Sequence, residues 1–301
     1  MATIHINRIV QSARWKSARL TLMLLLKNPT GAVGFVIMLT YVGIALVLQF
    51  APWIIGIAHP GTMIPNFSNP YPSPPSATHM LGTTYPGIDV FRAIIKAIRI
   101  DVFSSLLVVG AGAAIGSIVG IYAGFHGRLV DQAVMRITDI FFSLPFLVLA
   151  MAIGFTLGRA FNDVLLSLVI IWWPIYARLA RSQTLAIKNE LYVKFSLVSG
   201  NGSLKTIFKH IFPNTLTPIL IQMSVDLANV ILLISGLYFI GFAAETPYLP
   251  ELGSLISYGF PFALTAPWTI VYPGLALLIF ALGMNLFGDG LRDALNPRYR
   301  I

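Results

Sequence analysis

The sequence predicts an all-α membrane protein with six transmembrane helices and both termini in the cytoplasm. Three observations carry this reading. Of 301 residues, 56% are hydrophobic and only 10% are charged, against roughly 25% charged in a soluble domain, and the mean hydropathy is +0.80. So little charge cannot coat a soluble globule of this size, which argues against a soluble enzyme, a disordered chain and a secreted scaffold. The apolar residues fall in continuous runs near the ~20 residues that a helix needs to cross the hydrocarbon core, not in the ~10-residue alternating segments of a membrane β-barrel. With both ends inside, sixteen of the twenty basic residues fall in inner segments and only Arg92, Lys96, Arg99 and Arg159 in outer ones, as the positive-inside rule requires. Most of the net charge of +9 is then topogenic charge facing anionic lipid.

The chain divides in order. Residues 1–31 form a basic cytoplasmic tail, in which Ile4, Ile6, Ile9, Trp15 and Leu20 alternate with cations as in an amphipathic surface element. Residues 32–53 are the first span, which starts too late and runs too long for a signal-peptide core. Residues 54–101 form an outer loop rich in proline, so irregular or extended, followed by an interfacial helix over 89–101 with Ile94, Ile95 and Ile98 on its apolar side. Residues 102–289 hold five further spans, at about 102–125, 140–157, 164–177, 216–240 and 268–286. Span two carries Gly112, Gly116, Gly120 and Gly124 at four-residue spacing, a stripe that lets a neighbouring helix approach closely. Span four contains Pro174, a break in the helical run. The outer stretch 242–267 holds a short apolar piece over 252–264, read as dipping at the outer mouth. Residues 290–301 are a second cytoplasmic tail.

The segment 178–214 is the most informative. It carries six bases and one acid. Asn189 suits an N-cap with Glu190 in the first turn, where the helix dipole favours an anion. Leu191, Phe195 and Val198 share one helical face; Gly200 suits a left-handed C-cap. Ser203 caps a second helix with Leu204, Ile207, Phe208 and Ile211 on one face, and Pro213 ends it. Helix, glycine turn and helix together form an amphipathic basic loop suited to a cytoplasmic partner or to lipid headgroups.

Absences bound the chemistry. With no cysteine there are no disulfides and no thiolate metal site. No Gly-x-x-x-x-Gly-Lys-Ser/Thr motif is present, so the chain is not expected to hydrolyse ATP. His5, His59, His79, His126 and His210 all lie outside the spans, which argues against intramembrane metal or histidine chemistry; no catalytic or metal-ligating set is expected. Asp226 is the one acid well inside a span, with Asn229 three residues on. The two are candidate translocation-path residues, the alternative for Asp226 being a buried structural acid. An ion-coupled secondary transporter would show an inverted repeat and several intramembrane charges, and neither is evident.

The segment from Glu190 to Gly200 and on to His210, Pro213 and Asn214 resembles the EAA loop of binding-protein-dependent ABC importer permeases. Further stretches resemble the dipeptide/oligopeptide permease family: Lys27-Asn-Pro, His79-Met-Leu-Gly-Thr, Gly87-Ile-Asp-Val, residues 120–145 and Gly288-Asp-Gly-Leu-Arg-Asp-Ala-Leu-Asn-Pro-Arg298. The likeness covers about residues 27–298 and is strongest to the second permease of such pairs. It implies a MetI-like five-helix core plus one N-terminal helix. It also implies a sister permease, two cytoplasmic ATPase subunits that bind ATP and Mg, an extracytoplasmic solute-binding protein, and no cofactor in this chain. Relatives move peptides, and some move oligosaccharides or nickel. In that family the loop couples ATPase closure to transport, which assigns coupling to Glu190, Tyr192, Val193, Phe195, Ser196, Gly200, His210 and Pro213. Phe195 and Ser196 replace the usual small alanine pair. On the outer side Ile88 replaces an arginine, Thr84 an acid, and Pro250-Glu-Leu-Gly253 lacks the usual tryptophan.

Overall fold

The computed structural model describes residues 19–57, 59–242 and 248–295; most of the N-terminal tail, including Ile4, Ile6, Ile9 and Trp15, and the end of the C-terminal motif lie outside them. Helix α1, Pro29–Phe50, starts where Pro29 follows Asn28, whose side chain accepts from the Thr30 N–H at 3.2 Å. Helix α2, Val90–His126, is capped by Asp89, which accepts from the Arg92 N–H at 2.8 Å. At 37 residues it is ~55 Å long, well beyond the hydrocarbon thickness. The expected interfacial helix over 89–101 is thus not a separate element. No glycine or proline lies between Val90 and Val109 to interrupt the run, so it fuses with span two.

Helices α3, Arg128–Phe142, and α4, Phe146–Leu157, meet at 95°. Span three is therefore not a single straight helix over 140–157. Pro145 is extended, with ψ 132°, and cannot donate to continue the helix, while α3 is amphipathic and charged. Helix α5, Phe161–Lys188, runs 28 residues straight through Pro174, so span four is longer than expected and unbroken. It packs along the glycine stripe: a Cβ on Gly116 would lie 2.2 Å from the Trp173 carbonyl and one on Gly120 2.2 Å from that of Ala177.

Helix α6, Leu191–Val198, is short. Helix α7, Ser203–Phe239, includes a π-helical turn at Ile207–Ile211. Pro213 does not end the second loop helix. It falls in the first turn after the π segment, where a missing N–H is tolerated, and the helix continues into the span. Helix α8, Leu252–Gly259, is a short cap near the far end of α7, and α9, Trp268–Leu295, closes the bundle. Among the described residues, five helices are long and apolar enough to cross a membrane, and the bent α3–α4 pair makes a sixth if it is one span. A two-residue antiparallel pair, Thr83–Thr84 with Ile88–Asp89, orders the outer loop.

Two apolar cores divide the bundle. Val108, Leu168, Ile171, Tyr176, Ile211 and Ile234 join α2, α5 and α7. Tyr41, Val90, Ala97, Leu255, Phe280 and Met284 join α1, α2, α8 and α9. Helix α1 lies on α9 with almost no space at Gly34, where a Cβ would meet the Phe287 nitrogen at 2.3 Å. The Asn28 amide donates to Asp293 at 3.1 Å, so α1 starts where α9 ends. At its other end α1 meets α2 through Arg99 donating to Gln49 at 2.8 Å. Both ends of the described chain therefore lie at the same end of the bundle as the 190–213 loop. That side is the loop end below, and the opposite side the distal end.

Candidate functional site

The loop is fixed from beneath before it presents anything. Lys188, the last residue of α5, donates to the Phe125 carbonyl at the end of α2. Arg181 makes a two-pronged ion pair with Asp131 of α3. Arg178 pairs with Asp139 and lies 4.0 Å over the Phe142 ring. The hydrogen bond from Arg181, then its charge and that of Lys188, hold the Asp131 carboxyl below the usual carboxylate range. These contacts pin α3 to α5 directly under the loop.

On that base, Glu190 is the N-cap of α6, with Asn189 ending α5 instead of opening α6. An extended residue is needed where the chain leaves one helix and starts the next, and Glu190, at φ −65° and ψ 143°, is that residue. Val193 and Ser196 face inward and are buried. The Ser196 hydroxyl lies 3.2 Å from the Thr206 hydroxyl and accepts from the Asn201 amide at 3.2 Å. Serine in the place of a small apolar residue is thus buried with its polar atom satisfied. Gly200 has φ +81°, a left-handed conformation that costs other residues about 1–2 kcal/mol. The Tyr192 and His210 rings are 5.8 Å apart, and Asn214 donates to the His210 carbonyl at 2.6 Å. Pro213 is exposed on the first turn beyond.

What the loop shows to its surroundings is apolar. Leu191 is 70% exposed, Phe195 66%, Val198 85%, Leu204 66% and Phe208 67%. These residues of α6 and early α7 make a side-chain patch around the Gly200 turn, edged by Lys194, Lys205 and Lys209, which are also exposed. A contiguous exposed apolar patch with a polar rim marks an interaction site. Of the eight residues expected to couple, Glu190, Tyr192, Phe195, Gly200 and Pro213 are exposed, Val193 and Ser196 are buried beneath them, and His210 is half-buried.

The intramembrane acid behaves differently from its neighbour. Asp226 is 1% exposed and accepts from the Gln222 amide at 3.0 Å. The Trp172 indole and Tyr176 hydroxyl of α5 lie within its electrostatic reach. These two donor atoms, with Asp226 Oδ2, have no hydrogen-bond partner among the described residues. Asn229, three residues on, is exposed on the outside of the chain. The two polar groups share α7, and the Asn229 side chain still acts on the Asp226 carboxyl.

Sequence reasoning missed the charged base under the loop. In the sequence Arg178 and Arg181, spaced i, i+3, count only among the six bases of the loop segment, with no partner indicated. Asp131 and Asp139 lie some 40–50 residues earlier, and only the 95° bend brings their helix alongside.

A bundle of long apolar helices, with an anchored and partly apolar loop standing off one end, defines a multi-pass membrane protein. The family described as the binding-protein-dependent transport system inner membrane component matches residues 116–301, and the chain belongs to it. A dipeptide transport system permease protein of Alkalihalophilus pseudofirmus is 34% identical over 274 residues, 91% of this chain and 88% of the relative. The dipeptide transport system permease protein of Escherichia coli K12 is 38% identical over 274 residues, covering 89% and 90%. A probable D,D-dipeptide transport system permease protein of the same strain is 36% identical over 271 residues, covering 89% and 87%. The chain is a permease subunit of an ABC-type, binding-protein-dependent import system.

Proposed function

We propose that this permease forms, with a homologous sister permease, the translocation path for a di- or oligopeptide delivered by an extracytoplasmic binding protein. Two cytoplasmic ATPase subunits bind ATP and Mg and drive it, so hydrolysis belongs to those subunits and not to this chain. Both termini and the 190–213 loop face the cytoplasm. The exposed apolar patch of Leu191, Phe195, Val198, Leu204 and Phe208 carries the reading. A patch that large on a loop braced from below has the form of a docking surface. ATP-driven closure of the ATPase pair draws the two coupling loops together, the helices rock, and the path opens to the outer side; hydrolysis resets it.

The peptide part rests on the similarity to dipeptide permeases. It is tested by reconstituting the permease pair with its ATPases and binding protein in liposomes and measuring ATP-dependent uptake of labelled dipeptide. Uptake driven by a proton or sodium gradient without the ATPases overturns the importer mechanism. ATP-driven uptake of an oligosaccharide or of nickel instead of dipeptide overturns the substrate assignment alone.

A further inference from the structure

The distal end holds two fully buried carboxylates with no cation against them among the described residues. Asp101 of α2 and Glu251, just ahead of α8, are each 0% exposed. Both reach the first turn of α8: Asp101 accepts from the Leu252 N–H at 3.3 Å and Glu251 from the Ser254 N–H at 2.8 Å. Glu251 also accepts from the Ser235 hydroxyl of α7. The remaining Asp101 oxygen has no partner among the described residues. A second observation comes from α7. Tyr238 is 5% exposed, its hydroxyl likewise has no partner among the described residues, and it lies within reach of both carboxylate charges.

The groups around the pair come from every element packed there. Tyr41 on α1 faces Asp101 while donating to the Ala276 carbonyl of α9 at 2.6 Å. Tyr238 and Ser235 come from α7, and Tyr258 from α8 faces Tyr238. Among the described residues, no lysine, arginine or histidine charge acts on either acid. Two like charges sharing a dry site cannot both ionise. Burial pushes the Glu251 carboxyl up from its ordinary range, against the pull of its hydrogen bonds from Ser235, Gly253 and Ser254.

We propose that Asp101 and Glu251 form a proton-binding site, holding one proton between them, and that this proton latches α8 onto α2 and α7 at the distal end of the permease. When α8 lifts, both carboxylates meet water and the proton leaves to the distal solution. The docked state therefore binds one more proton than the undocked state. The sign follows: docking is favoured at low pH and weakens as pH rises through the value of the docked pair. The proposal stands on the geometry of α8 and not on the peptide reading.

The test uses the full chain with its partner subunits in lipid nanodiscs. The sequence has no cysteine, so spin labels can be placed at introduced cysteines replacing Leu264, which is 98% exposed beside α8, and Phe91 at the start of α2. Between about pH 6 and pH 9 the docked-to-undocked ratio in the wild type should fall by at least tenfold, the most that a single proton gives per pH unit. D101N and E251Q, which keep shape and remove one acid each, should stay docked with a flat profile. Infrared spectra should show a protonated carboxylic acid at neutral pH in the wild type that both variants lose, while the wild-type distance profile needs no variant to fold. An unchanged distance across the pH range, a pH response retained in both variants, or the lack of that band overturns the proposal. So does a ratio that follows sodium or calcium concentration, since a metal cation would then hold the pair.

Discussion

At the loop end, Asp131 and Asp139 each face an arginine; at the distal end, Asp101 and Glu251 face none. The loop-end acids are partly open to solvent, at 15% and 54% side-chain exposure, and the distal pair is closed off. One glycine from each end shows a similar contrast. Gly200 has open space around it and a positive φ, whereas a Cβ on Gly253 would lie 2.1 Å from the Ser235 carbonyl. One end is braced by charge. The other is closed by contact so tight that a single methyl group on Gly253 has no room.

The sharpest way to break the comparison is the glycine pair. Gly253→Leu has no room, and overpacking against backbone costs upward of about 3 kcal/mol; α8 should fail to dock and the protein should be lost from the membrane fraction. Gly200→Leu meets no atom and bears only the ~1–2 kcal/mol of a left-handed backbone. It should accumulate normally while ATP hydrolysis in the complex proceeds without uptake. Normal uptake by Gly200→Leu would remove the coupling role from the turn.

Next comes the patch itself. Phe195→Asp changes a side chain that touches little of its own chain, so folding by thermal melt should be unaltered. If the patch is a docking surface, a charge at its centre should weaken capture of the ATPase subunits by about 2–3 kcal/mol, or 30- to 150-fold, as for an interface anchor. Undiminished capture on an ATPase affinity column would leave the patch a lipid-facing surface.

A smaller effect is expected at Asp226, which belongs to neither end. Asp226→Asn keeps shape and most hydrogen bonding, so the subunits should still co-purify while uptake falls roughly three- to tenfold, the cost of changing an intramembrane charge site. Failure of the complex to assemble would show that the acid is structural, held by Gln222 and facing Trp172 and Tyr176.

Much of this architecture was legible in the sequence because it depends on local pattern. Apolar runs gave the spans, the four-residue glycine spacing gave the α2–α5 contact, and Gly200 gave the turn. Local pattern fails where a tertiary neighbour decides. Pro174 sits inside α5 without ending it, and Pro213 follows a π turn that absorbs its missing N–H. The fusion of 89–101 with span two hangs on an absence of breakers, weaker evidence than a motif. Both acid arrangements were invisible for one reason. Asp131 and Arg181, or Asp101 and Leu252, are 50 and 151 residues apart, and spacing alone cannot pair them.

The last prediction separates the two ends by the sign of their response to acid. The Asp131 carboxyl is held low by the Arg181 hydrogen bond, so its contribution to stability is complete above the ordinary aspartate value of about 4 and is lost as pH falls through the lower folded value. Arg181→Met should cost about 1–2 kcal/mol at neutral pH, the worth of a charge-assisted pair that is partly exposed. The wild-type advantage over that variant, measured by thermal unfolding in detergent at each pH, should shrink toward zero on acidification below about pH 4. Docking of α8 should respond in the opposite direction, strengthening as pH falls. If the Arg181→Met deficit stayed constant down to pH values where Asp131 must be protonated, the pair would be acting through packing of the arginine stem, and the charged brace beneath the loop would lose its physical basis.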